Sequence, residues 1–309
     1  MGQLAWAHYG TSQLSALVVP PALRPGDKIR IIAPSSPFDR ALFFRGIGWL
    51  SQRYRVEVAE HALARRGFLA GSDEQRLSDL NLALESKQIQ AIVAARGGHG
   101  AVRIVHQANW QALREHPKWL VGFSDVTLLH LEAFRVGVSS LHAENAAGLG
   151  RADTLARNAW VAALEAPTEP CTLRGNQVIR AGAGQGCLFG GNLTMVFTAL
   201  ATGRYTIPEG AILFLEDVAE SSYRIDRMLT TLAVSGALKA VRGVALGDFT
   251  DCPPGPHGVP VADVLRDCLQ DLTVPVVSGF CFGHGQHNVP LRLGRHAKLD
   301  SGSLSLTLE

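Results

Sequence analysis

The chain has no surplus of charge of either sign. Its 309 residues include 29 Lys and Arg against 27 Asp and Glu, a formal charge of +2 at pH 7. No basic cluster stands out that could track a phosphate backbone, which argues against nucleic acid as a partner. Cysteine is scarce as well. Cys171, Cys187, Cys252, Cys268 and Cys281 are odd in number, widely spaced and without a C-x-x-C pair, which argues against a disulfide framework and a zinc ribbon and points to a reducing, cytoplasmic setting. No apolar run reaches the length of a membrane span. The apolar patch Leu14 to Val19 has no Lys or Arg before it and no small-residue cleavage site after it, so it makes a poor signal peptide. Residues 1–22 read as a loose extension ahead of the fold. Internal repeats and low-complexity tracts are absent.

A hydrophobic content of 47% with 18% charged residues is that of an ordinary globular chain, long enough for a sizeable core and two domains. The first half alternates short apolar runs with amphipathic segments, the pattern of strand-helix-strand units in a parallel sheet. Strands are expected at Lys28 to Ala33, Arg53 to Ala59, Ala91 to Ala95, Trp119 to Phe123 and Ser139 to His142. Helical spacing lies between them at Asp39 to Leu50, Asp73 to Leu84 and Val126 to Phe134, and Ser72 is a plausible N-cap. After a helical stretch from Arg151 to Glu165, residues 166–186 read as a glycine-rich crossover. Beyond it, strands at Ala211 to Leu215, Val241 to Gly247 and Val274 to Ser278 alternate with helical segments, and a hairpin closes the chain at Arg295 to Leu308.

Four segments carry chemistry. In Val121-Gly122-Phe123-Ser124-Asp125 an apolar strand runs into a helix, so the serine hydroxyl projects past the sheet edge where helical N–H groups can stabilise an oxyanion. The G-x-S-x-G spelling of a nucleophile elbow is missing, and Ser-Asp at such a junction is, taken alone, an ordinary N-cap. Arg96-Gly97-Gly98-His99-Gly100 follows a second strand, with glycines that let the backbone approach a ligand. It lacks the lysine of a phosphate-binding loop, and a plain tight turn is the competing reading.

In Leu215-Glu216-Asp217 a strand ends in two carboxylates, either of which could orient a histidine, or which could simply be an acidic pair at a helix N-terminus. Gly283-His284-Gly285-Gln286-His287-Asn288 supplies histidines in a loop open to both sides. His296 and Asp248 could extend them to a metal set, but no H-E-x-x-H or comparable pattern appears, so no metal is expected.

Taken together, these segments resemble the LD-carboxypeptidase family, the muramoyltetrapeptide carboxypeptidases, over most of the chain. The resemblance is also carried by Leu23-Arg24-Pro25-Gly26-Asp27, Ala33-Pro34-Ser35-Ser36, Leu69 to Arg76 (LAGSDEQR), Gly190-Gly191-Asn192-Leu193 and Tyr223-Arg224-Ile225-Asp226-Arg227. It implies Ser124 as nucleophile, His284 rather than His287 as base and Glu216 rather than Asp217 as the residue that orients it. The backbone N–H groups of Gly98 and Asp125 would form the oxyanion hole, and Arg96, Gly97 and Arg227 are candidates for binding substrate. It further implies an α/β fold with an N-terminal flavodoxin-like parallel sheet, helices on both faces, over residues 23–165. A smaller mixed α/β C-terminal domain over 187–309 would follow the linker 166–186. His99 departs from the aromatic residue usual after the double glycine, which bears on the adjoining pocket.

The activity implied is cofactor-free removal of the terminal D-alanine from a murein tetrapeptide, free or muramoyl-linked, by a cytoplasmic homodimer away from the membrane. Two competitors stand beside it. One is a microcin C-type immunity peptidase of the same family. The other is a non-catalytic peptide- or sugar-binding protein on the same kind of sheet.

Overall fold

The strands Ala91–Ala94 and Trp119–Gly122 are buried at every position, as strands covered on both faces must be. They lie in the middle of a six-stranded sheet in the computed structural model, which describes residues 17–309. In chain order the first half comprises β1 Lys28–Ile32, α1 Arg40–Leu50, β2 Arg55–Val58, α2 Asp73–Glu85, β3 Ala91–Ala94, α3 Ala101–Ile104, α4 Trp110–Glu115, β4 Trp119–Gly122, α5 Thr127–Arg135, β5 Ser140–His142, α6 Ala146–Leu149 and α7 Thr154–Glu165. The second half comprises β6 Cys171–Arg174, β7 Gln177–Arg180, β8 Ala183–Asn192, α8 Leu193–Ala201, β9 Ala211–Val218, α9 Ser222–Val234, β10 Val241–Thr250, α10 Val261–Leu269, β11 Val276–Ser278, β12 Leu291–Leu293, β13 His296–Asp300 and β14 Ser305–Leu308.

Strands β2, β1, β3, β4 and β5 lie side by side in that order and run parallel, the flavodoxin-like arrangement. Helix α1 packs on α6, while α2 packs on α4 and α4 on α5. Right-handed crossovers put these two groups on opposite faces when the order reverses at β1. Ser72 does cap α2: its hydroxyl accepts from the Gln75 N–H, and the Gln75 side chain accepts from the Ser72 N–H. A sixth strand, β12, joins this sheet from the far end of the chain, antiparallel to β5. Three residues are too short a run to announce a strand, and one of them, Arg292, is buried with its guanidinium on the Pro167 carbonyl.

The second sheet has eight strands in the order β6-β14-β13-β8-β9-β10-β11-β7. Four adjacent strands, β8 to β11, are parallel, and the others are antiparallel, including the terminal hairpin β13–β14. The segment 166–186, read from its glycines as a crossover, contains β6, β7 and the start of β8. Glycine is unfavourable in strands unless another backbone comes close. That is the situation here, since a Cβ at Gly186 would stand 1.8 Å from the Gly210 carbonyl oxygen.

One apolar cluster runs through both halves, from Ile31 and Leu129 to Leu193 and Leu213. Another, around Phe214, Phe280 and Phe282, takes in Leu291 and Leu293 of β12. Of the expected extension 1–22, residues 1–16 lie outside the described residues. The remainder rests on the first sheet, with Val18 bridged to Val138 and the Trp119 indole N–H donating to the Pro21 carbonyl at 2.8 Å. Among the described residues no helix is long and apolar enough to cross a membrane.

Glu132 of α5 ties the halves together. Its wholly buried carboxylate accepts from Arg135 Nε at 2.7 Å, Arg204 Nε at 2.7 Å and the Tyr205 hydroxyl at 2.6 Å. Both arginines are partly exposed and can return to water, but the buried Tyr205 hydroxyl cannot. Glu132→Ala is therefore expected to lower the unfolding free energy by about 2–4 kcal/mol. Urea unfolding measures this, and an unchanged midpoint would contradict it.

Candidate active site

Past β4 the chain turns through Phe123 and one 3-10 turn, Ser124–Val126, into α5. Ser124 has φ 67°, in the left-handed region, a conformation that costs an L-residue roughly 1–2 kcal/mol. Such strain at a strand-to-helix turn is characteristic of a nucleophile elbow, here without the usual glycine spelling. Space explains the neighbouring glycines. A Cβ on Gly97 would lie 3.0 Å from Ser124 Oγ, and one on Gly98, at φ 107°, would collide with Ser36.

The loops around Ser124 are cross-tied. Ser36 N–H donates to the Gly97 carbonyl at 3.2 Å, and His99 N–H donates to Ser36 Oγ at 3.0 Å. The buried Arg76 guanidinium donates to the carbonyls of Pro34 and Gly100, joining the loops after β1 and β3. Ala101 N–H donates to Asp125 Oδ2 at 2.8 Å, joining the loops after β3 and β4. The Gly98 N–H is not used in any of these loop bonds.

On the second sheet, the two carboxylates of β9 point to different tasks, as alternation along a strand requires. Glu216 is wholly buried, and its Oε2 meets Nδ1 of His284 at 2.7 Å. Asp217 accepts from Asn192 Nδ2 at 2.9 Å, Thr194 N–H at 3.0 Å and the Thr194 hydroxyl at 2.8 Å. Burial pushes the Glu216 pKa up, while the bond to His284 opposes the rise. When Glu216 is ionised it can only accept, so the donor of this bond is Nδ1–H and Nε2 is the ring nitrogen left to exchange a proton.

The loop holding His284 is closed by the Gly283 N–H donating to Asn288 Oδ1 at 3.0 Å and by the Val289 N–H donating to the Cys281 carbonyl at 2.9 Å. His287 instead faces Asp153 at 3.8 Å near the surface.

The carboxyl edges of the two sheets meet here. The rings of Phe123 and His284 lie 4.6 Å apart between centroids. No hydrogen bond joins Ser124 Oγ to His284. Beneath the elbow, His130 Nε2–H donates to the Gly122 carbonyl at 2.8 Å, and Ser140 Oγ lies 2.9 Å from His130 Nδ1. His142 packs between Phe123 and Phe214, and burial drives its pKa far down.

Glu144, just past β5, is a titratable neighbour that sequence reasoning missed. Burial raises its pKa, and Arg151 and His284 oppose the rise. The rule that drew attention to Ser124 and Arg96, a polar residue directly after a parallel strand, applies to Glu144 too.

Arg96 lines a cavity of about 330 Å³ with Ser36, Pro37, Phe38, Arg65 and Phe68. This lies beyond β1 and β3, the switch point where flavodoxin-like sheets take ligands. Neither Arg65 nor Arg96 has an acidic partner among the described residues. Arg227 is elsewhere, in a separate cavity with Thr194, Glu220 and Tyr223.

A strained serine at an elbow, beside a histidine held by a buried carboxylate, is the constellation of serine-type hydrolases. Comparison with known proteins agrees. Residues 29–143 match the LD-carboxypeptidase N-terminal domain and residues 185–299 the LD-carboxypeptidase C-terminal domain. The chain is 39% identical to a Synechocystis protein whose assigned name proposes a carboxypeptidase, over 93% of this chain and 96% of that one. It is 33% identical to the murein tetrapeptide carboxypeptidase of Pseudomonas aeruginosa, over 80% and 84%.

Among solved structures, the muramoyltetrapeptide carboxypeptidase of Oxalobacter formigenes superposes with TM-score 0.81 at 28% identity, over 91% of this chain and 97% of that one. An MccF-like protein of Bacillus anthracis shares the fold, with TM-score 0.84 at 20% identity over 94% and 99%. The chain belongs to the LD-carboxypeptidase family, and is thus a serine-type carboxypeptidase.

The histidine beneath the elbow gives the fold a pH dependence. Burial pushes the His130 pKa from 6.5 down to about 4, so in acid the unfolded chain takes up this proton first. Its contribution to stability is complete above pH 6.5 and is lost as pH falls toward 4. Buried carboxyls with raised pKa, such as Glu216, work in the opposite sense, so the variant isolates the histidine. The unfolding temperature of His130→Gln should vary less with pH over this interval than that of the parent. Parallel curves would count against the assignment.

Proposed function

We propose that this chain removes the terminal D-alanine of murein tetrapeptides, cleaving the L,D-peptide bond before it during peptidoglycan recycling. The observation that carries the reading is the Glu216–His284 pair, whose imidazole ring lies against Phe123 at the Ser124 elbow. His284 Nε2 takes the Ser124 proton as Oγ attacks the carbonyl of the third residue. The N–H groups of Gly98 and Asp125 receive the oxyanion, and Glu216 stabilises the imidazolium. His284 then protonates the amine of the departing alanine, and water releases the acyl group by the same route reversed.

Recognition of the free terminal carboxylate falls to Arg96, beside Gly97 and with Arg65 across the cavity, because a guanidinium fork matches a carboxylate. Arg227 is the second candidate, from the separate cavity. Five free thiols fit a reducing cytoplasm, and a homodimer is the expected assembly.

Incubation with murein tetrapeptide, free and muramoyl-linked, followed by mass analysis, tests the reading. The parent should lose one alanine, and Ser124→Ala should slow the release by about 1,000-fold or more. Undiminished turnover in that variant would remove the serine mechanism. Preferential cleavage of an aminoacyl sulfamoyl nucleoside would favour the microcin-type activity instead. Arg96→Gln should raise KM about 10- to 100-fold with a smaller change in kcat, if it reads the terminal carboxylate. An unchanged KM would exclude Arg96 from that role.

A further inference from the structure

Gly190-Gly191-Asn192 takes no part in the chemistry above, yet it is where the second sheet touches the helix that begins at the serine. Thr127, the first residue of α5 and three residues past Ser124, is wholly buried. Its Oγ1 accepts a hydrogen bond from the Asn192 backbone N–H at 3.1 Å. The approach is tight: at Gly191, φ 144°, a Cβ would stand 2.6 Å from both Thr127 Oγ1 and Cγ2.

Asn192 cannot shift alone. It is the last residue of β8, lies opposite Glu216 in the β8–β9 ladder, and holds Asp217 Oδ1 with its side-chain amide at 2.9 Å. Its Oδ1 caps α8 at Met195 N–H. A short chain of contacts therefore runs from Ser124 through Thr127, Asn192 and Glu216 to His284.

We infer that Thr127 is a positioning residue, whose hydroxyl holds the Ser124 helix in register with the strands that carry Glu216 and His284. The inference rests on the triad reading above. Ser124 and His284 share no hydrogen bond in this structure, so the seating of one sheet edge on the other decides whether the proton can move. The Thr127–Asn192 bond is buried, where close packing leaves little slack and no water can replace a lost partner.

Thr127→Val keeps the shape and removes the acceptor, while Thr127→Ser keeps the hydroxyl and removes the methyl. The rate of Ser124 labelling by a fluorophosphonate, together with kcat and KM on murein tetrapeptide, should be compared on the folded fraction given by circular dichroism. In Thr127→Val the labelling rate and kcat should each fall about 10- to 100-fold, with KM within about twofold of the parent. Thr127→Ser should stay within about threefold of the parent on every measure.

Parent-like labelling in Thr127→Val, or an equal defect in both variants, would overturn the inference, because packing rather than the hydroxyl would then be at work. A parent that is labelled at Ser124 but releases no alanine would refute the substrate and leave the positioning claim to the labelling rates. A parent not labelled at Ser124 would refute both.

Discussion

Glu216 is sealed from water with one carboxylate oxygen on the His284 ring at 2.7 Å and the other without a hydrogen bond. A charge in that position is expensive unless a donor or cation stands beside it. The His284 ring supplies the donor, and in the mechanism proposed above the imidazolium formed as Ser124 gives up its proton would supply the cation. The same isolation that makes the carboxylate reluctant to ionise makes protonated His284 its best available companion. Much of the surrounding structure serves this pairing: Asn288 closes the histidine loop, and Gly283 leaves room for the Glu216 side chain, which a Cβ there would approach to within 2.7 Å.

The opposite wall is built by different means. Ser124 sits in an unfavourable backbone conformation that only its surroundings can enforce. Arg76 clamps the carbonyls of Pro34 and Gly100, Asp125 takes the Ala101 N–H, and His130 takes the Gly122 carbonyl. Three loops at one sheet edge are thus bound to one another by buried polar groups. A site prepared in this way needs little reorganisation when substrate arrives.

The central parallel strands of the first half, β3 and β4, were legible because they are buried on both faces and stay apolar from end to end, as at Ile92 and Val121. Ser124, Arg96 and Glu216 could be singled out because each was expected where an apolar strand runs out, and His284 because glycines flank it in the loop after β11. The choice between Glu216 and Asp217 was not open to periodicity. It depends on which face of β9 meets the histidine loop, and only the resemblance to a family separated them before the geometry did. The start of β8 was hidden by glycines whose purpose is close backbone contact, β6 and β7 by being short and carrying polar residues, and β12 by its brevity. The cavity bearing Phe38, Arg65 and Phe68 could not be read at all, because it is assembled from loops that are neighbours only after the sheet has formed.

His284 stands on a segment with its two ends in different sheets: β11 belongs to the eight-stranded sheet and β12 to the six-stranded one. A polypeptide cut between the two family segments would leave the amino-terminal fragment without its own edge strand and expose the β5 backbone to any extended chain nearby. The fragments would regain a closed edge only by recombining. The loop that bears His284 thus spans the join between the two sheets, and the ring takes its place against Phe123 only once both sheets have formed.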